Sequence, residues 1–208
     1  CLRLICPLGA TSARLRLRSI VLEGRDEIAL INCSKQQLLD IPDPGGSIIE
    51  VLLEDPPSKC RYATIIAVGD VCVTEAVAAM HLGAQENWFI RVIAIVDVTA
   101  LDSDRFETAS TLQISNASLI AVVWCAPRLL EGLLWQTVGR MFPVVGYRER
   151  SGATPWETLV ANGMDRFSLL AKLDLGRDRN SKEDVWESRT GGVHFFEVPK
   201  LEVRCLVG

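Results

Sequence analysis

The chain is 208 residues long, 49% hydrophobic and 23% charged, with a formal net charge of -4 and a pI near 5.3. That apolar content is enough for a buried core and excludes a disordered composition, and the length suits one full domain plus an appendage. The acidic balance argues against a general nucleic-acid binder, which needs clustered Lys and Arg to neutralise phosphates.

The first residue is Cys, and "CLRLICPLGA" lacks the apolar stretch and small-residue cleavage site of a secretory signal, so the chain is expected to be a fragment. Thr11 to Glu23, "TSARLRLRSIVLE", runs without Gly or Pro up to Gly24 and predicts a helix, although its alternation of Arg and Leu also suits a strand. "EIALINC", Glu27 to Cys33, reads as a buried strand. The following "DIPDPGGSIIEVLLEDPPSKC" carries four of the nine prolines and two adjacent glycines, which marks a linker at 41–60. "SIIEVLL" within it is expected at most to form a short element packed on the domain that follows.

From residue 61 the pattern becomes regular. "YATIIAVGD", Tyr62 to Asp70, is a near-continuous apolar run, as expected of a central strand covered on both faces. "VTEAVAAMHLG" reads as a helix capped by Asp70 or Thr74 and stopped by Gly83. "FIRVIAIVDV", Phe89 to Val98, is a second buried strand and "ASLIAVVWC", Ala117 to Cys125, a third. Pro127 opens the helix "PRLLEGLLWQTVGR", and "FPVVGYR" is a fourth strand. "PWETLVANG" is a short helix capped by Thr154, and after Gly163 "MDRFSLLAKLDL" restarts a helix on Asp165. The order β-α-β-β-α-β-α-α predicts an α/β fold over 61–176, a three-layer α/β/α sandwich with a mostly parallel sheet. The tail, 177–208, either adds an edge strand or is poorly ordered.

Few residues point to chemistry. Seven cysteines without a CxxC pair read as reduced thiols in a cytoplasmic protein, and two histidines, His81 and His194, give no zinc spacing. No apolar run approaches the roughly 18 residues of a membrane span, so no membrane partner is expected. Gly69-Asp70 and Asp97 fall at strand ends where open α/β sheets bind ligands, but without a GxGxxG or Walker pattern a tight turn with a capping carboxylate is the preferred reading. Cys125 reads as a packed thiol, His81 as a surface or helix-end residue, and Arg14, Arg16 and Arg18 as a solvated cluster. Lys35, in "NCSKQQ", lies just past a strand where a cation could meet a phosphate; by its residue type alone it is a solvated lysine.

Taken together, "CRYATIIAVGDVCVTEAVAAM", "IRVIAIVDV", "NASLIAVVW" and "VVGYRERSGATPWETLVANGMDRFSLLAKLD" resemble the C-terminal domain of the thiamine-diphosphate-dependent phosphoketolases, which has the plan of the transketolase C-terminal domain. The matching positions are Gly69-Asp70-Val71 with Thr74-Glu75, Arg91 to Asp97, Gly146 to Glu149, Ala153-Thr154-Pro155 and, most specifically, Asn162 with Asp165-Arg166-Phe167. Upstream, "CPLGATSARLRLRSIVLEGRDEIALINCSKQQ" resembles the end of the family's pyrimidine-binding domain, which assigns 1–40 to that domain. Lys35-Gln36 then stand in its Lys-Gln positions, and the resemblance implies that Lys35 contacts the substrate phosphate.

The resemblance implies cleavage of xylulose 5-phosphate or fructose 6-phosphate with phosphate to acetyl phosphate and an aldose phosphate. Thiamine diphosphate and Mg, bound mainly by upstream domains, would supply the carbanion chemistry in a homodimeric enzyme. The family's catalytic and metal-binding residues lie in those earlier domains, so none is carried over and the fragment alone is expected to be inactive. Where the family has a Phe-His-Gly-Tyr-Pro-Trp run, this chain reads Trp124-Cys125-Ala126-Pro127-Arg128, and the tail departs as well. Those departures favour an alternative, a non-catalytic dimerisation or regulatory module of the same fold.

Overall fold

A computed structural model of the chain describes residues 2–23, 28–34, 39, 41–54, 60–101, 118–148, 153–174 and 200–207. At the N-terminal end, β1 (Leu2–Ile5), α1 (Ala10–Glu23) and β2 (Ile28–Ile31) form a β-α-β unit whose strands pair in parallel, Leu2 with Ile28 through Ile5 with Ile31. The helical reading of the Arg-Leu stretch therefore holds over the strand reading. The β1 strand falls where the sequence suggested no element. The β2 strand forms where expected but is not buried, because Ile28 and Leu30 point away from the rest of the described chain, 73% and 60% exposed. Period-2 alternation puts both on one face, and no described layer covers it.

The larger sheet is built from β3 (Ile48–Leu53), β4 (Arg61–Val68), β5 (Trp88–Ile95), β6 (Ser118–Val123), β7 (Val144–Gly146) and β8 (Leu201–Val207). Their spatial order is β7-β6-β4-β5-β3-β8. All neighbours from β7 to β5 are parallel, and β3 runs antiparallel to both β5 and β8. The apolar stretch inside the expected linker is thus an interior strand of the sheet. Pro and Gly bracket β3 without entering it, which is compatible with a strand. The last described residues supply the edge strand that the sequence left as one of two options.

Alternation sorts the strand residues into two layers. Ala63, Ile65 and Ala67 of β4, with Val92 and Ala94 of β5, face α2 (Asp70–Gln85) and the C-terminal helices. Ile66 and Val68, with Ile93 and Ile95, face a 3-10 turn (Val98–Leu101) and α3 (Arg128–Val138). Two further helices, α4 (Pro155–Ala161) and α5 (Arg166–Asp174), place Leu159, Leu169 and Leu173 in the first layer. The result is the expected three-layer α/β/α sandwich with a mostly parallel sheet.

Local signals explain the starts of the last two helices. Thr154 caps α4 through a capping box, its hydroxyl accepting from Glu157 N at 3.2 Å while Glu157 accepts from Thr154 N at 2.7 Å. Asp165 caps α5, accepting from Phe167 N and Ser168 N, each at 3.1 Å. The α2 helix departs from expectation at both ends. Its N-cap is Gly69, at φ 101°, with no side-chain cap, and Asp70 is its first residue. Gly83 lies inside the helix: a Cβ there would stand 2.6 Å from Ile90 Cδ1, so glycine lets α2 settle onto β5.

Candidate functional site

The chain leaves β4 through α2 to reach β5 on one side, and the next connection returns to β6 on the other side of β4. The C-terminal ends of these three strands therefore form a topological switch point, where open α/β sheets receive ligands. In this chain its own residues fill that position. Gly69, at the end of β4, approaches Trp124, at the end of β6, so closely that a Cβ would lie 2.8 Å from Trp124 Cβ. Tyr147 packs on the same tryptophan, ring centroids 4.7 Å apart.

The N-terminal β-α-β unit closes over the rest of this edge. Cys6 N donates to Val96 O at 2.7 Å, and Ile5 forms an antiparallel bridge with Asp97. Ile5 and Leu8 enter one core layer and Cys6 the other. Three carboxylates secure the seam. Asp97 accepts from Arg3 Nε at 3.0 Å and Nη2 at 2.8 Å, and from Thr99 N at 3.0 Å and the Thr99 hydroxyl. Asp70 accepts from Ser34 N at 2.7 Å on one oxygen and from Val71 N at 2.8 Å on the other. Asp43 accepts from Ser12 Oγ at 2.5 Å, Arg16 Nη2 at 2.7 Å, Arg16 Nε at 3.0 Å and Gly45 N at 2.9 Å.

The two strand-end aspartates therefore hold protein rather than ligand; Asp97, accepting from Thr99 N, also caps the 3-10 turn that follows it, as expected, whereas Asp70 is the first residue of α2 and does not cap it. Arg16 leaves the solvated cluster to pair with Asp43, while Arg14 and Arg18 stay exposed. Sequence reasoning missed Arg3, Ser12 and Asp43 altogether. The one signal for Asp43 was its place in a Pro-Asp-Pro-Gly-Gly turn, and a turn does not reveal a partner 27 residues away.

Three thiols lie along this edge. Burial, then the neighbouring Cys125, Asp70 and Asp97, pushes Cys6 up to about 12. Burial raises the fully enclosed Cys72 well above the usual thiol range, with Asp70 adding to it, and raises Cys125. Thiols held protonated are poor nucleophiles, so the edge is not set up for thiolate chemistry. His81 is half-buried near the end of α2. Lys35 and His194 lie outside the described residues, but Ser34, next to Lys35, is the residue whose amide Asp70 holds.

A second constellation joins two of the sequence motifs. Arg166 donates to Glu75 on α2 from its backbone N at 2.9 Å, Nε at 3.0 Å and Nη2 at 2.7 Å, with Trp156 5.9 Å from its guanidinium carbon. Asn162 Nδ2 donates to Arg148 O and Thr158 O, and Lys172 Nζ to Gly163 O. The Asn-x-x-Asp-Arg-Phe cluster is therefore a clasp that fastens the last two helices to α2.

Among the described residues no group of three or more His, Cys, Asp or Glu could hold a metal ion. The seam carboxylates are already engaged, and the described residues do not fit a site for thiamine diphosphate or Mg. No helix among them is long and apolar enough to cross a membrane.

A family model described as the XFP C-terminal domain matches residues 45–188. None of the curated proteins compared with it matches the chain. Among solved structures, a split-gene transketolase in an inactive β4 tetramer is similar with a TM-score of 0.61 and 16% identity, over 84% of this chain and 56% of that one. The transketolase of Leishmania mexicana is similar with a TM-score of 0.56 and 13% identity, over 84% of this chain and 25% of that one. That of Campylobacter jejuni is similar with a TM-score of 0.54 and 11% identity, over 81% of this chain and 25% of that one. The chain thus spans about half of the first and a quarter of the other two, and at these identities the likeness shows the fold.

Proposed function

Because the chain belongs to the XFP C-terminal domain family, the C-terminal domain of the phosphoketolases, we propose that it serves as the C-terminal portion of a thiamine-diphosphate-dependent phosphoketolase. In this reading the whole enzyme is an aldehyde-lyase of carbohydrate metabolism in the cytoplasm. It cleaves xylulose 5-phosphate or fructose 6-phosphate with phosphate to acetyl phosphate and an aldose phosphate, and it works as a homodimer. Upstream domains of the same chain hold thiamine diphosphate and Mg and carry the catalytic residues. This chain contributes packing and one substrate contact, Lys35, and has no activity by itself.

The observation that carries this reading is the apolar surface exposed on the N-terminal β-α-β unit. A sheet of two parallel strands is too small to be stable alone. This one exposes Ile28 and Leu30, while α1 exposes Leu17, Val21 and Leu22 at 52%, 73% and 64%. Exposed apolar residues gathered on one small unit mark a surface for further protein. The unit is nevertheless anchored to the large sheet by three carboxylates, as a domain joint requires.

The test is acetyl phosphate formation from xylulose 5-phosphate, phosphate, thiamine diphosphate and magnesium. Both the 208-residue chain and the longest transcript from its locus are assayed. Activity confined to the longer product supports the reading. Silence in both, with folded protein, supports a non-catalytic dimerisation or regulatory module instead. The filled switch point is the observation that favours this second reading.

A further inference from the structure

The β8 strand ends the sheet order, and among the described residues no strand lies on its outer side. It is seven residues long, pairs with β3 in regular register from Leu201↔Leu53 through Val203↔Val51 and Arg204↔Glu50 to Cys205↔Ile49, shifts register beyond that, where Val207 meets Ile48, and lies beyond residue 188, where the family match ends. Its two faces differ. Leu201 and Val203 pack against one core layer, and Leu206 packs against the other. Glu202 and Arg204 share the face of Leu206, and Arg204 donates to Glu202 from Nε at 2.8 Å and Nη2 at 2.5 Å. Both side chains remain open to solvent, 44% and 56% exposed.

An unpaired strand of this length is a template for another strand. Exposed charges usually guard such an edge, but the order of charges here is self-complementary. In an antiparallel pair of identical strands about a two-fold axis, matching faces require the axis to pass through a residue. An axis at Glu202 sets glutamates opposite each other, one at Arg204 sets arginines opposite each other, and one at Cys205 sets Arg204 against Leu206. An axis at Val203 sets Glu202 against Arg204 of the second copy, twice. The same register sets Val203 against Val203 and Leu201 against Cys205 on the apolar face. Opposite charges directly across a strand pair stabilise it, and like charges destabilise it.

We propose that the outer edge of β8 is a self-association surface, on which two copies of this chain pair antiparallel about Val203 and join their six-stranded sheets into one. The charge row of β8 then becomes a checkerboard in which each charge has an opposite neighbour along its own strand and across the axis. On the β3 side Arg204 also faces Glu50, which is paired with Arg91, so the checkerboard continues into the interior of each sheet. This inference does not depend on the phosphoketolase reaction.

The experiment uses sedimentation velocity on the 208-residue chain with folding checked by circular dichroism. The wild type is expected to dimerise. Arg204→Glu and Glu202→Arg are each expected to weaken self-association by at least about tenfold, since each turns both cross-axis pairs into like-charge pairs. Mixing the two variants is expected to restore a one-to-one dimer, because an all-acidic edge then meets an all-basic one. A further variant, Leu201→Cys, is expected to form a disulfide to Cys205 of the second copy on mild oxidation, identified by mass spectrometry of the linked peptides. A folded wild type that stays monomeric, a dimer that survives both single variants, a mixture that stays apart, or a Leu201→Cys variant that forms no link to Cys205 would each overturn the proposal.

Discussion

Arg166 and Glu75 stand 91 residues apart in sequence and are joined by three hydrogen bonds, one of them from the Arg166 backbone. Both side chains are close to fully buried, 10% and 6% exposed. A buried pair of this kind is weak evidence of net stabilisation, but removing one partner strands the other charge away from water. Arg166→Met or Glu75→Leu should therefore each cost about 3–5 kcal/mol. The double variant Glu75→Leu, Arg166→Met should lose less than the sum of the two. It should still fall below the wild type by about 1–3 kcal/mol, since the amide of residue 166 loses its Glu75 acceptor. Urea unfolding of the four proteins decides this, and additive losses would remove the coupling.

The Asp165 carboxylate is held by two amides of the first turn of α5, while its other oxygen is buried with no hydrogen-bond partner among the described residues. Asp165→Ala should cost about 1 kcal/mol through loss of the cap. Asp165→Asn keeps an acceptor for the two amides and should recover most of that loss. An unchanged melting temperature in the alanine variant would remove the capping role.

Much of this architecture is readable in the sequence, and the reason differs by element. Residues Ile65 to Val68 and Val92 to Ile95 are covered on both faces, so burial itself writes continuous apolar runs. Thr154 and Asp165 announce their helices because capping is a local bond. The β3 and β8 strands were less legible. Each is held mainly by a partner far along the chain, Ile49 by Cys205 for instance, and the prolines around β3 speak more loudly than its pairing. The seam is hidden for the same reason, since nothing near Arg3 in sequence indicates Asp97, 94 residues away. Strand-end aspartates carry the same local signature whether they meet a ligand or an arginine.

The buried thiols make stability depend on pH in the alkaline range. Cys6 rises from an ordinary value near 9 to about 12 on folding, so the folded chain keeps a proton that the unfolded chain releases. Stability from this group is fully present below pH 9 and is lost as pH rises towards 12, because over that window the unfolded state binds fewer protons. The urea midpoint of the wild type should fall across this window more steeply than that of Cys6→Ala. Equal slopes would show that Cys6 is not a source of the dependence. Alkylation below pH 9 should mark the exposed Cys33 well before Cys6 or the fully enclosed Cys72.

Lys35 offers the sharpest test of the phosphoketolase reading, because its charge has a defined task there. In the longest active product of the locus, Lys35→Met should raise KM for the sugar phosphate about 10- to 100-fold, the range expected when a charge-assisted hydrogen bond of about 1.5–3 kcal/mol is lost. Phosphate held equally in the ground and transition states predicts a smaller effect on kcat. Asp70→Asn removes the charge that fixes the amide of Ser34, one residue before Lys35, and should raise KM in the same direction but by less. Steady-state kinetics with pentulose and hexulose phosphates measures both variants. A Lys35→Met enzyme with unaltered KM for either substrate would end the assignment of that lysine, and the seam carboxylates would then stand as structural groups alone.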